Sequence, residues 1–365
     1  MNPLIRFLRE PGVAAAWAAE EWNGFLPLAR EAGLLGRCLH LLDEQGLRET
    51  APRRLVDQLQ GALNQSRYVQ GQAMRELRSV ANRLAHEAIP LMALKGVAYL
   101  AAGLPPSGWR SLSDIDLMVP AHEIARAERV LLRAGWEASG EFDSYDQRYS
   151  RDWMHEIPPL VHRERETEVD LHHNRAPPVS RIRIDAALLW EQAETVNDAC
   201  GLTIQILSQT DMLLHNAIHL FMNDELRGGL RDVMDFRDLF EHFSSVTPGL
   251  EQRLLARAEL LGCTRPLYYA VSTAHRLLGL QVSPEFRRAL DAHAPPGPKD
   301  RLMAAMFDQV LAPAALRSRR SRLANQLLFI RSHWVRMPPR MLVRHLAHKL
   351  LKSGKPALAT EELPG

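Results

Sequence analysis

The chain has 365 residues, 46% of them hydrophobic and 24% charged, with a formal net charge of +2. That length buries a substantial core and accommodates two domains, or one large domain with an appendage. Three widely spaced cysteines, Cys38, Cys200 and Cys263, form neither a zinc spacing nor a disulfide framework. No apolar run reaches the roughly 18 residues of a membrane span, and MNPLIRFLREPG lacks the apolar core of a signal peptide. The expected setting is the cytoplasm.

Residues 1–88 read as a helical segment, because AAAWAAEEWNGFLPLAREAGLLGRCLHLL and LVDQLQGALNQSRYVQGQAMRELRSVANRLAHEA repeat apolar residues at three-and-four spacing. The run Ile89–Leu94 predicts a strand, and the residues from Gly96 to Ala102 a short helix. RSLSDIDLMVP (110–120) predicts the next strand, ended by Pro120, and AHEIARAERVLLRAGWE an amphipathic helix stopped near Gly135. Residues 137–170 lose the helical period and predict a hairpin or strand pair. In TEVDLHH, Val169 and Leu171 face one way, and Glu168, Asp170 and His172 the other. Beyond Pro177-Pro178 the chain is predominantly helical, with Ser208 or Thr210 as a cap near Asp211, and APPGPKD (294–300) as a linker or loop.

Asp114 and Asp116 pose an electrostatic question. On a strand, two acids separated by one residue share a face, repel each other and lose solvation unless a cation lies between them. Asp170 supplies a third carboxylate on another strand. Paired aspartates suit hard divalent ions, which take oxygen ligands, and two such ions about 3.5–4 Å apart activate an attacking oxygen and steady a leaving pyrophosphate. A helix opening after Lys95-Gly96 adds backbone donors for a polyphosphate.

Leu94-Lys95-Gly96, then Arg110 through Leu117 (R-x-x-S-D-I-D-L), then Val169 through His172 (V-D-L-H) resemble the core of the polymerase-beta-type nucleotidyltransferase superfamily. More closely they resemble a group of largely uncharacterised bacterial nucleotidyltransferase-like proteins. LLHNAIHLF and LRDVMDFRDL are also similar to that group's C-terminal region, so the resemblance spans about 85–345. It implies an α/β (α+β) fold: a small mixed sheet with flanking helices, a helical N-terminal segment and a helical C-terminal domain. The implied division is 1–88, a catalytic core at 89–178, a helical domain with a basic tail at 179–350, and a disordered end at 351–365.

The resemblance implies transfer of a nucleoside monophosphate from a nucleoside triphosphate to an unidentified acceptor: a small molecule, peptide, protein or RNA. Asp114, Asp116 and Asp170 would hold two Mg2+ ions, with Asp170 also a base for the acceptor hydroxyl. Lys95, Gly96, Arg110 and Ser113 would bind the nucleotide. The superfamily's serine before the helix is replaced here by Lys95-Gly96-Val97-Ala98, leaving Lys95 and Arg110 to supply charge, as a point and a fork respectively. Two other readings stand beside this one: a catalytically degenerate nucleotide- or peptide-binding accessory protein, and a toxin-like enzyme modifying tRNA or protein.

The remaining polar residues carry weaker signals. His155 and His162 are expected to face solvent, with a phosphate contact as the alternative, His172 to join a metal or substrate, and His173 to bond nearby backbone or a carboxylate. His215 and His219, four apart on one helical face, are expected in packing or a substrate pocket, because no third zinc ligand follows. Arg231, Asp232 and Asp235 predict ion pairing along a helix, with a place in the pocket floor as the alternative. From Gln309 to Thr360 there is no acid but eleven Lys and Arg, which leaves the rest of the chain net acidic. The basic stretch 317–355 reads either as a helical lid with a solvated face or as a dock for an acidic partner: RNA, anionic lipid or protein.

Overall fold

A computed structural model describes residues 2–139, 154–175, 180, 183–198, 200–222, 226, 228–313, 318–338 and 340. Four helices open the chain: α1 (Pro3–Arg9), α2 (Ala19–Glu31), α3 (Leu35–Glu44) and α4 (Arg53–His86). α4 buries Leu55, Leu59, Leu63, Ala73, Leu77, Val80 and Leu84, a single stripe at three-to-four spacing, as the sequence period requires. Its buried polar residues serve the sheet. Gln70 Nε2 donates to the carbonyls of Ser107 and Arg110, each at 2.7 Å, and Glu76 takes a two-bond fork from Arg165 at 2.7 and 2.8 Å.

The sheet segment follows as β1 (Met92–Ala93), α5 (Lys95–Ala101), β2 (Ile115–Met118), α6 (Ile124–Arg133), β3 (Trp136–Ala138), β4 (Leu160–His162) and β5 (Glu168–His172). The expected strand pair is present, β4 lying antiparallel to both β3 and β5. A further helix, α7 (Ala186–Glu191), leads to β6 (Glu194–Asn197) and β7 (Thr203–Ile206). The seven strands form one mixed sheet in the order β3-β4-β5-β2-β1-β7-β6. The sheet therefore does not end near residue 178. β7 pairs in parallel with β1, and β6 closes that edge as the second arm of a hairpin.

The helical half comprises α8 (Gln209–Met222), α9 (Leu230–Val246), α10 (Leu250–Leu260), α11 (Thr264–Leu278), α12 (Pro284–Asp291), α13 (Gly297–Leu311) and α14 (Arg319–Arg336). The expected loop at 294–300 is shorter than predicted, because Gly297 and Pro298 begin α13; proline is at home in a first helical turn, where its missing N–H has no partner to lose. α8 is apolar nearly all round and is buried in the centre of this half. Near its start the Ser208 hydroxyl accepts from the Asp211 N–H, and the Asp211 carboxylate takes a fork from Arg257 at 3.0 and 2.8 Å.

The basic tail enters the description as α14, which packs against α13 and α8 through Ala324, Leu328, Ser332 and His333. Residues 341–365, including the end expected to be disordered, lie outside the described residues. No helix among the described residues is long and apolar enough to cross a membrane.

Two contacts lock the sheet onto the helical half. Asp238 of α9 accepts from Arg37 at 3.0 Å and from the Trp109 indole at 3.3 Å. Gly36 is a glycine because a Cβ there would stand 2.8 Å from the Trp109 carbonyl. Arg110 Nη1 then reaches across to Asp232, at 3.3 Å, and to Asp235. Pairing along the helix is present, Arg231 with Asp232 at 3.7 Å, and a pairing between elements is added to it, because Arg110 comes close enough to take both acids. Asp235 is fully buried, so removing its cation leaves a charge with nowhere to go. Arg110→Met should cost about 3–5 kcal/mol in urea denaturation, and the double change Arg110→Met/Asp235→Leu should recover most of it.

Candidate active site

β2 and β5 run parallel with Asp116 opposite Asp170, so two carboxylates from distant parts of the chain face each other across one ladder. Alternation places Val169 and Leu171 in the core and leaves Glu168, Asp170 and His172 toward a cavity. Asp114 differs from expectation. It lies just before β2 at a bend, half-buried, and accepts from Ser113 Oγ at 3.0 Å. Because it stands outside the strand, sheet register does not fix its orientation.

Asp116 is only 4% exposed and sits among cations. Its Oδ1 accepts from Lys95 Nζ at 2.7 Å and from His172 Nε2 at 3.1 Å, while His172 Nδ1 reaches Glu156 at 3.1 Å. Burial pushes the Asp116 carboxyl upward, but Lys95 and His172 outweigh it and hold the group well below the usual carboxylate range. Burial likewise opposes charge on His172 and on Lys95, yet the Asp116 bond and neighbouring acids raise both. His172 thus presents each ring nitrogen to a carboxylate, an arrangement that favours its charged form. Asp170 feels His172 without bonding it: its Oδ1 is buried without a hydrogen bond among the described residues. Burial first, and the Asp116 charge second, push its carboxyl up to about 7.

Lys95 shapes the entrance to α5. Its φ of 47° puts a side-chain-bearing residue in the left-handed region, a strain of the order of 1 kcal/mol that aims the ammonium at Asp116. Gly96 follows because space is lacking: a Cβ would stand 2.3 Å from Leu112 Cδ2 and 3.1 Å from Arg110 Nε. Gly96→Val should push both side chains out of place and lower the melting temperature by several degrees, as thermal denaturation would record.

Two cavities meet at Lys95, Asp114 and His219. The first, about 310 Å³, is lined by Gly33, Gly96, Ser113, Asp116 and Arg231. The second, about 390 Å³, is lined by Glu156, Asp170, His172, Arg175 and His215. His215 and His219 thus line pockets, one of the two roles expected of them; burial holds His215 well below its ordinary value and His219 down to about 3, so both are neutral bases. Neither joins a convergent metal-ligating group among the described residues. His155 and His162 are not solvent-facing. His155 lines the second cavity, and His162 packs edge-on against Trp136 at 4.7 Å, accepting from the Glu164 and Arg165 N–H groups. His173 takes a backbone bond with Met154, as expected.

Ligand atoms of Asp116, Asp170 and His172 lie within 4.8 Å of one another, as do those of His155, Glu156 and His172. Asp114 belongs to neither group. The uncompensated Asp170 oxygen beside Asp116 is a place where a hard cation would be held, and His172, whose Nε2 already bonds Asp116, orients that carboxylate. Both cations expected to serve a phosphate are engaged: Lys95 with Asp116, Arg110 with Asp232 and Asp235. Sequence reasoning missed Arg175 and Glu156 altogether, since an isolated Arg or Glu carries no pattern.

A family model described as "Uncharacterised nucleotidyltransferase" matches residues 18–279. The chain belongs to that family. It is a nucleotidyltransferase by this membership, and the residues that carried the sequence resemblance all fall within the matched span. Among solved structures, the antibiotic-resistance factor ANT(2'')-Ia is similar at 14% identity, with 57% of this chain and 98% of that chain covered and a TM-score of 0.35. An antigenic nucleotidyltransferase-like protein from Paracoccidioides brasiliensis is similar at 15% identity, with 60% of this chain and 93% of that chain covered and a TM-score of 0.28. Neither superposition is close enough to transfer a residue or a substrate. No curated protein matches the chain.

Proposed function

We propose that this nucleotidyltransferase is metal-dependent and moves a nucleoside monophosphate from a nucleoside triphosphate to an acceptor hydroxyl. One observation carries the reading: Asp116 and Asp170 stand opposite each other at the junction of two cavities, with an Asp170 oxygen that has no partner among the described residues. The first cavity suits the triphosphate, with Lys95, Ser113 and Arg231 on its wall. The second, which holds Asp170, suits the acceptor.

Asp116 and Asp170 are the residues that would hold Mg2+, with Asp114 on the wall shared by both cavities as a further carboxylate for it, and the ion would supply Lewis acidity to the α-phosphoryl group and to the departing pyrophosphate. In the transfer the acceptor oxygen bonds to the α-phosphorus, the bond from that phosphorus to the β-phosphate oxygen breaks, and the hydroxyl proton passes to the Asp170 carboxylate. With the cation bound the Asp170 carboxylate is ionised, and it lines the cavity where the acceptor hydroxyl would lie, so it can accept that proton. Lys95 and Arg231 place positive charge beside the triphosphate.

The test is incubation with labelled ATP, GTP, CTP or UTP, Mg2+ and cell extract, beside an Asp114→Ala/Asp116→Ala control. Label should pass from one nucleotide to an extract component, and not with the control. If no label transfers and no triphosphate binds with Mg2+, the reading fails. Arg231 is half-buried and its charge is already disfavoured by Arg110 and by burial, so an incoming anion relieves it. Arg231→Gln should weaken Mg-triphosphate binding about tenfold in titration calorimetry, the size of one charge-assisted bond.

A further inference from the structure

Arg175 follows β5 by three residues and is 4% exposed. Its Nε, Nη1 and Nη2 are all buried without a hydrogen-bond partner among the described residues. The carboxylate whose charge most favours it, Asp211, already receives both arms of the Arg257 fork. A guanidinium brings five donors in a fixed plane, and leaving them all unmet inside a protein is unfavourable unless something supplies oxygen acceptors. The side chain lines the second cavity, and the Asp170 carboxylate lines the same cavity. The basic helix α14 brings Arg336 to that wall too.

The other groups lining this cavity do not fill the need. Glu156 is occupied by His172 at 3.1 Å and approaches His155 at 3.8 Å. His155, His215 and His219 are kept neutral by burial, so they add hydrogen-bonding capacity without repelling a charged ligand. A compact oxyanion is the ligand a buried planar fork recognises, since a carboxylate or phosphate accepts two parallel N–H bonds from it.

We propose that the second cavity binds an acceptor carrying a carboxylate or phosphate group, which seats on the Arg175 fork while the acceptor's hydroxyl faces Asp170. The assignment rests on the nucleotidyl-transfer reading for the word acceptor, but the anion subsite stands on the Arg175 geometry alone. It separates the roles of the cavity's charges: Arg175 anchors, and Asp170 meets the reacting oxygen. Burial lowers the Arg175 guanidinium only to about 10, so it keeps its charge at neutral pH.

The full-length protein, saturated with Mg2+ and a non-hydrolysable ATP analogue to fill the first cavity, is dialysed against labelled inorganic phosphate, with acetate as competitor. Phosphate should bind at one site. Arg175→Gln should weaken it at least tenfold and leave the analogue's affinity within twofold of wild type. Displacement by acetate at comparable concentration would identify a carboxylate as the natural group, and resistance to it a phosphate.

Arg175→Lys, which keeps the charge but loses the fork, should bind phosphate several-fold more weakly than wild type. Arg175→Met should fold with an unchanged or higher melting temperature, because it removes an uncompensated buried charge. If wild type binds neither anion with the first cavity filled, or if Arg175→Gln binds phosphate as wild type does, the anion subsite is wrong. Failure of the ATP analogue to bind at all sinks the nucleotidyl-transfer reading instead, and phosphate binding measured without the analogue still decides the role of Arg175.

Discussion

Asp116→Ala is expected to abolish nucleotidyl transfer and to destabilise the fold at the same time. The half-buried Lys95 and the buried His172 share its Oδ1 at 2.7 and 3.1 Å. His172 can shed its proton and Lys95 retains some access to solvent, so the loss should fall at about 2–4 kcal/mol, near the lower end of broken buried pairs. Asp116→Asn separates the two effects. The amide keeps the shape and a carbonyl acceptor for Lys95, so urea denaturation should move by about 1 kcal/mol, whereas transfer should fall about a thousandfold, equal to roughly 4 kcal/mol of activation energy. A variant Asp116→Asn that retains a tenth of wild-type transfer would remove Asp116 from the reaction. Lys95→Met, which leaves the His172 bond in place, should be milder on stability than Asp116→Ala.

The second large effect lies at Asp170 and runs against intuition. In a chelating buffer Asp170→Asn should be more stable than wild type above neutral pH, because the wild-type carboxylate must ionise while buried and beside Asp116. Its carboxyl is raised from 3.8 to about 7, burial first and Asp116 second. A group whose folded pKa is raised binds protons more tightly when folded, so its contribution is fully present below pH 3.8 and is lost as pH rises through about 7. The stability difference between variant and wild type should therefore open across that window and level off above it, at up to about 4 kcal/mol before screening and roughly half that after it. Added Mg2+ should stabilise wild type and not the variant, and transfer by the variant should be absent. Parallel pH profiles for the two proteins would show that Asp170 is ordinarily solvated.

Much of the candidate site is legible in the sequence. D-I-D and V-D-L-H stand out because acids interrupt apolar, strand-forming runs, and a strand that tolerates a buried acid needs a reason. The long helix α4 was visible through its three-to-four stripe. The β6–β7 hairpin was not: Glu194, Thr195 and Asn197 are exposed and Val196 half-buried, so β6 has no apolar face for a sequence pattern to reveal. Nor was the fate of Arg110. Its neighbours suggested a phosphate fork, but Asp232 and Asp235, more than a hundred residues later, reach it first.

By itself the sequence determined most of the elements and the acids: period-two and period-3.6 patterns depend on neighbours a few residues apart, and so do the strands that carry Asp116 and Asp170. Only the tertiary structure decided which charges meet. Asp170 stands opposite Asp116 because β2 and β5 pair in parallel, Arg110 is bound to α9, and Arg175 is buried beside an acid that Arg257 already holds. Coulomb and hydrogen-bond energies depend on separation in space and on burial, and neither quantity is written in the spacing of residues along a chain.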